Sequence, residues 1–180
     1  LLCNSANTSD CHLYLDHINL SKTKLHLETS DSEAIVLRLD QPINYPSDLN
    51  LTQSIHLSGT SELCAAKINN NGTSRCSEKP EQLVIMATAE SEPVTDACGT
   101  TKQSVIFSGT TLPYALLYLP TGTARPNNAT LTGLIWANSI CVLDDQDNPS
   151  SFTLKTEQNG ISVVQKANDH WGWTERFNYP

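Results

Sequence analysis

Nowhere in this chain do apolar residues recur at the helical period for more than two turns, and that single absence restricts the fold to sheets. What recurs instead is a set of short runs, alternating apolar and polar or rich in β-branched residues, divided by polar turns. They cover 13–20, 24–29, 34–39, 49–57, 83–89, 104–108, 114–119, 131–142, 152–156 and 161–165. The alternation is clearest in Lys24-Leu25-His26-Leu27-Glu28 and in Val36-Leu37-Arg38-Leu39-Asp40, where the leucines share one face and the polar residues the other. One stretch, Ser61-Glu62-Leu63-Cys64-Ala65-Ala66-Lys67, carries enough helix formers to suggest a short helix. The polar spans 68–80, 90–103 and 143–151 read as loops.

Strands spaced this way fit a β-solenoid, which coils through successive rungs, or an antiparallel β-sandwich. The expectation is an all-β, solenoid-like, disulfide-stapled fold over residues 1–180 as a single domain, with the sandwich as its alternative. At 180 residues one domain can bury a sizeable core. An internal echo is present: Ile55-His56-Leu57-Ser58-Gly59-Thr60 and Val105-Ile106-Phe107-Ser108-Gly109-Thr110 each run an apolar strand into Ser-Gly-Thr. Glycine there lets the chain turn where a side chain would clash.

The six cysteines, Cys3, Cys11, Cys64, Cys76, Cys98 and Cys141, form no CxxC pair, which argues against a zinc ribbon or a thioredoxin-like site. Their even number and local spacing suggest Cys3–Cys11 and Cys64–Cys76 as loop-closing bridges, leaving Cys98–Cys141 as a long staple. Six cysteines allow fifteen pairings, so spacing alone leaves the others open. Disulfides would place the chain outside the cytoplasm, in an extracellular or cell-surface setting. Five Asn-x-Ser/Thr sequons, at Asn7, Asn19, Asn50, Asn71 and Asn128, are glycan sites if the chain comes from a eukaryotic secretory pathway, and chance products of an Asn-, Ser- and Thr-rich chain otherwise.

Net charge is -8, and the eleven Lys and Arg are scattered. No basic stripe tracks phosphates, so nucleic acid is not an expected partner. No run approaches the length of a membrane-spanning helix, and membrane attachment is expected only through a segment preceding Leu1.

The segments Tyr114-Ala115-Leu116-Leu117-Tyr118-Leu119-Pro120 and Ala129-Thr130-Leu131-Thr132-Gly133-Leu134-Ile135-Trp136-Ala137-Asn138-Ser139-Ile140 are similar to a pattern found in bacterial surface proteins linked to type IV pili. The group includes the pseudopilin-like proteins of cyanobacterial polysaccharide secretion, in which this pattern marks two stacked rungs of a β-solenoid-like domain. Leu25 to Leu39, followed by Pro42-Ile43, resembles the preceding rungs, and Trp171-Gly172-Trp173-Thr174-Glu175-Arg176 resembles the aromatic ending of some members. Leu119-Pro120 stands where the family has Ala-Pro, and Asn138 stands where it has Lys. The resemblance implies the ectodomain of a minor pilin or pseudopilin that contacts other pilus or secretion-system subunits. Tyr118 and Trp136 lie eighteen residues apart, about one solenoid turn, and would pack one over the other if the strands stack in register. Gly133 would let the neighbouring backbone approach closely; in a sandwich these would be two ordinary core strands.

Catalytic signatures are missing: there is no G-x-S-x-G, Walker A, H-E-x-x-H or G-x-G-x-x-G. His12, His17, His26, His56 and His170 read as solvated or hydrogen-bonded structural residues. Asp144-Asp145-Gln146-Asp147-Asn148 has the oxygen ligands calcium favours, but lacks the EF-hand glycine and distal glutamate and reads as an acidic turn. Asp40, Asp48, Asp144 and Asp145 are the carboxylates from which a polysaccharide-cleaving β-helix would have to be assembled. Trp171, Trp173, Phe177 and Tyr179 read as a core cap rather than as an exposed patch for sugars or a partner. No catalytic, metal or cofactor residue is therefore assigned. The expected function is non-enzymatic: contact with other pilus or secretion-system subunits, or adhesion to surface polysaccharide. The alternatives are a carbohydrate-binding module, a glycosylated eukaryotic or viral ectodomain and, last, a polysaccharide-degrading β-helix.

Overall fold

The computed structural model describes residues 11–30, 33–39, 53–69, 71–87, 98, 103–144 and 146–156. Within them lie twelve strands: β1 (Cys11–Tyr14), β2 (His17–Leu20), β3 (Lys24–Glu28), β4 (Ile35–Arg38), β5 (Gln53–Leu57), β6 (Glu62–Ile68), β7 (Ser74–Cys76), β8 (Leu83–Met86), β9 (Gln103–Ser108), β10 (Tyr114–Asn127), β11 (Ala129–Ile140) and β12 (Phe152–Lys155). One 3-10 turn, Pro80–Gln82, precedes β8, and there is no α-helix among the described residues.

Pairing between strands is parallel throughout, except for the antiparallel β6–β7 pair. The chain is a solenoid, and the antiparallel sandwich is set aside. Five passes build three walls. The first wall stacks β1, β4, β8, the first half of β10 and the middle of β11. The second stacks β2, β5, β9, the second half of β10 and the end of β11. The third holds β3 beside β6 and the start of β11 beside β12. Between those two pairs runs the segment 109–113, whose carbonyls at Gly109, Thr111 and Pro113 accept the N–H groups of Thr130, Leu63 and Thr132. Tyr114 pairs with Thr132, so the fourth pass takes eighteen residues.

The sequence pattern explains the stacking. In each pass the inward residues lie above their equivalents, as in the row Leu13, Leu37, Ile85, Leu117, Ile135 across five rungs. These rows make one continuous core that includes Ile55, Leu57, Val105, Phe107 and Leu131. Burying each such side chain contributes roughly 1.5–3 kcal/mol, more than one backbone hydrogen bond adds net, so the apolar rows set the register. The two halves of the echo are stacked neighbours, with Ile55 on Val105, His56 on Ile106 and Leu57 on Phe107. Gly59 and Gly109 both turn the corner with positive φ, 62° and 56°. Gln53 lies under Gln103 in the interior, where the Gln103 amide donates to the Leu39 carbonyl at 2.8 Å and its oxygen accepts from Thr121 at 3.0 Å.

Three local expectations are corrected. The stretch expected as a helix, 61–67, falls in strand β6 (Glu62–Ile68) instead, because Leu63 and Ala65 are drawn into the core and the segment pairs with β3. The loop 68–80 contains β7, which returns against β6. The run 13–20 is two strands broken at Leu15-Asp16, where the chain passes from the first wall to the second. The Cys64–Cys76 and Cys98–Cys141 bridges are present, and Cys11 is also disulfide-bonded to a partner outside the described residues. Asp40, Asp48, His170, the run 161–165 and the C-terminal aromatics also lie outside the described residues.

Candidate functional site

The third wall brings together side chains that are far apart in sequence. Leu25, Leu27, Leu63 and Ala65 point to the core. The alternate residues Lys24, His26, Glu62 and Cys64 therefore face outward, and β7 adds Ser74 and Cys76 at the edge. His26 is fixed at both ring nitrogens, with Nδ1 at 2.7 Å from Ser74 Oγ and Nε2 at 2.7 Å from Glu62 Oε2. A carboxylate only accepts, so Nε2–H donates to Glu62, while Nδ1 shares its hydrogen bond with the Ser74 hydroxyl. Lys24 Nζ reaches the same Glu62 oxygen at 3.1 Å. Burial pushes the Glu62 pKa up, but the hydrogen bonds from His26 and Lys24 and their charges outweigh it and hold the carboxyl below the ordinary range. The disulfide lies alongside, with Cys76 Sγ at 3.9 Å from His26 Nε2.

Serine, imidazole and carboxylate stand here in the order of a nucleophile relay. A relay also needs a place for substrate. The neighbouring groove, about 260 Å³, is lined by Lys67, Asn69, Arg75, Ser77, Glu78 and Lys79 beside Cys76 and does not include Ser74 or His26. His26 is hydrogen-bonded to partners the sequence does not reveal: they lie 36 and 48 residues away, joined by the β3–β6–β7 register.

The second wall offers a different surface. Its outward rows run His17, Ser54, Ser104, Thr123 and Asn19, His56, Ile106, Arg125. His17 Nδ1 and Ser54 Oγ are 2.8 Å apart. A groove of about 280 Å³ crosses this face, lined by His56, Ile106, Arg125, Leu143, Asp144 and Asp147. The acidic turn forms one bank. Asp144 accepts the N–H groups of Gln146 and Asn148 at 2.8 and 2.9 Å. These bonds, the Asn148 N–H first, hold its carboxyl below the usual range. Asp147 takes an ion pair from Arg125 at 2.6 Å. Both carboxylates are committed to turn and wall rather than aimed at a shared point, and Asp145 lies outside the described residues.

Of the sequons, Asn19, Asn71 and Asn128 are exposed, while Asn7 and Asn50 lie outside the described residues. Asn71 caps the β6–β7 tip by accepting from the Thr73 N–H and hydroxyl at 3.1 and 2.6 Å.

The chain matches no family model, and neither a curated protein nor a solved structure is significantly similar to it.

Proposed function

We propose that this chain is a non-enzymatic, extracytoplasmic binding domain that adheres through the outward face of its second wall to a surface polysaccharide or to a subunit of a pilus or secretion apparatus. The observation that carries this reading is the polar ladder on that face. Rung stacking repeats hydrogen-bonding side chains at about 4.8 Å, in rows that suit an elongated partner with repeating polar groups. Ile106 and Leu143 give the groove an apolar floor beside the Arg125–Asp147 pair and His56, the mixture of flat apolar and directional polar contacts that sugar rings or a peptide strand require. Disulfides and the stacked core keep the face rigid, so binding has little ordering cost to overcome. The bridges also favour an oxidising compartment. The narrower assignment to a minor pilin or pseudopilin rests on the resemblance of residues 114–120 and 129–140.

The test is a glycan array that includes acidic and neutral surface polysaccharides, run with a parallel assay for released oligosaccharide. Binding without bond cleavage is expected, weakened about tenfold by Arg125→Ala and less by His56→Ala. Release of oligosaccharide product would overturn the non-enzymatic reading. Binding unaffected by both substitutions would move it off this face.

A further inference from the structure

We propose that, in the dithiol form of the chain, His26, Glu62, Cys64 and Cys76 bind one zinc ion, and that the Cys64–Cys76 disulfide and the metal are mutually exclusive occupants of one site. The argument is geometric. One potential ligand atom from each of the four residues lies within 4.8 Å of the other three. Zinc with two thiolates, one imidazole and one carboxylate has bonds of roughly 2.0–2.3 Å, so the edges of its tetrahedron are about 3.3–3.8 Å. Opening the disulfide frees the two sulfurs to separate to such an edge, while Nε2 of His26 is already 3.9 Å from Cys76 Sγ. Nε2 and the Glu62 oxygen, now 2.7 Å apart through a shared proton, move apart slightly as the metal replaces that proton.

The surroundings support metal binding beyond the four ligands. Ser74 Oγ holds Nδ1 at 2.7 Å, which fixes the ring so that Nε2 faces the sulfurs. A metal-bound histidine needs such an outer partner on its other nitrogen, and here the serine accepts from Nδ1–H once Nε2 carries the metal. Lys24 orients Glu62 from the other side. Cys64 is fully buried, and His26 is largely shielded at 15% side-chain exposure, so the site sits at the edge of a low-dielectric region that favours neutralised thiolates. Two thiolates and one carboxylate give the ligand set a charge that exceeds the zinc charge by one, and Lys24 stands next to the excess.

The exchange balances. Zinc bound by the two thiolates, a small-molecule disulfide RSSR and two protons give the Cys64–Cys76 disulfide, two RSH and free Zn²⁺. The two cysteine sulfurs lose two electrons and RSSR gains them. A chain exported reduced therefore holds zinc until an oxidant closes the bridge.

The experiment reduces the full chain with a phosphine under argon and titrates it with Co²⁺. The expected result is a thiolate-to-cobalt charge-transfer band with the strong visible absorption of tetrahedral cobalt, saturating at one equivalent and displaced by Zn²⁺. The oxidised chain should show neither, nor should Cys64→Ser/Cys76→Ser, whose remaining cysteines are reduced alike. His26→Ala should weaken binding more than tenfold, and Ser74→Ala about tenfold, as expected for a positioning partner. A thiolate–cobalt band that survives in Cys64→Ser/Cys76→Ser would overturn the proposal. So would an octahedral spectrum, or a reduced chain that loses its β circular dichroism and does not regain it with metal.

Discussion

The first and second walls are built from the same parallel strands in the same five-rung stack, yet their sequences look unlike. In the first wall every residue from Ala34 to Leu37, Leu83 to Ala87 and Ala115 to Leu119 is buried. In the second, β5 and β9 alternate strictly between buried and half-exposed. The cause is what lies outside. The first wall carries a second apolar cluster on its outward side, made of Ala34, Val36, Val84, Met86, Leu116 and Tyr118 with Leu134 and Trp136 packed against it. A parallel strand covered on both faces reads as an unbroken apolar run, and one covered on a single face alternates. Continuity of apolar residues therefore marks the wall covered on both faces, and alternation marks the wall whose outer face is half-exposed.

The sharpest break of this contrast is an outward charge placed on each wall. Val84→Asp puts a carboxylate inside the outward apolar cluster, and should cost about 4 kcal/mol or more, or prevent folding. Ile106→Asp, on the half-exposed row beside His56 and Arg125, should cost less than about 1 kcal/mol. Urea unfolding followed by circular dichroism reads both. Equal losses would mean that the second wall is as covered as the first.

Glycines separate the walls by steric room. A Cβ on Gly133, in the first wall, would lie 1.9 Å from the Ala115 carbonyl oxygen at φ +150°, whereas one on Gly109, at the corner after β9, meets nothing within 4 Å. Gly133→Ala should therefore cost about 3 kcal/mol through strain and displaced backbone. Gly109→Ala should cost only the positive-φ penalty of about 1 kcal/mol. Gly59 should fall between them, since its Cβ would sit 2.6 Å from the Ser21 carbonyl oxygen of the rung before. Thermal denaturation of the three variants tests the ranking, and a Gly109→Ala variant less stable than Gly133→Ala would break it.

Much of this arrangement is legible in the sequence because a solenoid converts sequence separation into vertical contact. The eighteen residues from Tyr118 to Trp136 are one turn, and the rings do pack against each other, 6.1 Å between centroids with their planes tilted by 59°. The Ser-Gly-Thr echo is legible for the same reason. Residues 61–67 mislead because Glu62, Leu63, Ala65, Ala66 and Lys67 are good helix formers, and only the tertiary pairing with β3 overrides that preference. The second half of β10 is hidden by Pro120, Gly122 and Pro126, residues that punctuate most strands but here turn a corner and continue. The His26 cluster leaves no trace in the sequence, since nothing local tells which strand will lie beside β3.

A double-mutant cycle on the stacked rings measures how much the first wall gains from its outward row. That row reads Tyr14, Arg38, Met86, Tyr118 and Trp136, with the Arg38 guanidinium 5.5 Å from the Tyr14 ring centre. Tyr118→Ala and Trp136→Ala should couple by about 1 kcal/mol beyond their separate losses. The equivalent cycle on His56 and Ile106 in the second wall should show coupling near zero. Equal coupling in both would mean that stacking alone, without the outer cluster, accounts for the interaction.

The smallest effect expected is the most discriminating, because it lies where the second wall begins to resemble the first. Thr123 continues the outward row His17, Ser54, Ser104, but unlike them it is buried, at 1% exposure, and its Oγ1 has no hydrogen-bond partner. A buried hydroxyl without a partner carries a desolvation penalty that an isosteric methyl does not. Thr123→Val should therefore leave stability unchanged or raise it by up to about 1 kcal/mol. Ser54→Val, two rungs before Thr123 in this row, should lower it slightly by stripping His17 of its 2.8 Å contact. If Thr123→Val is destabilising instead, the hydroxyl is satisfied in solution, and the row stays polar and hydrated along its whole length. The solvent-exposed polar row would then extend one rung further than the buried hydroxyl implies.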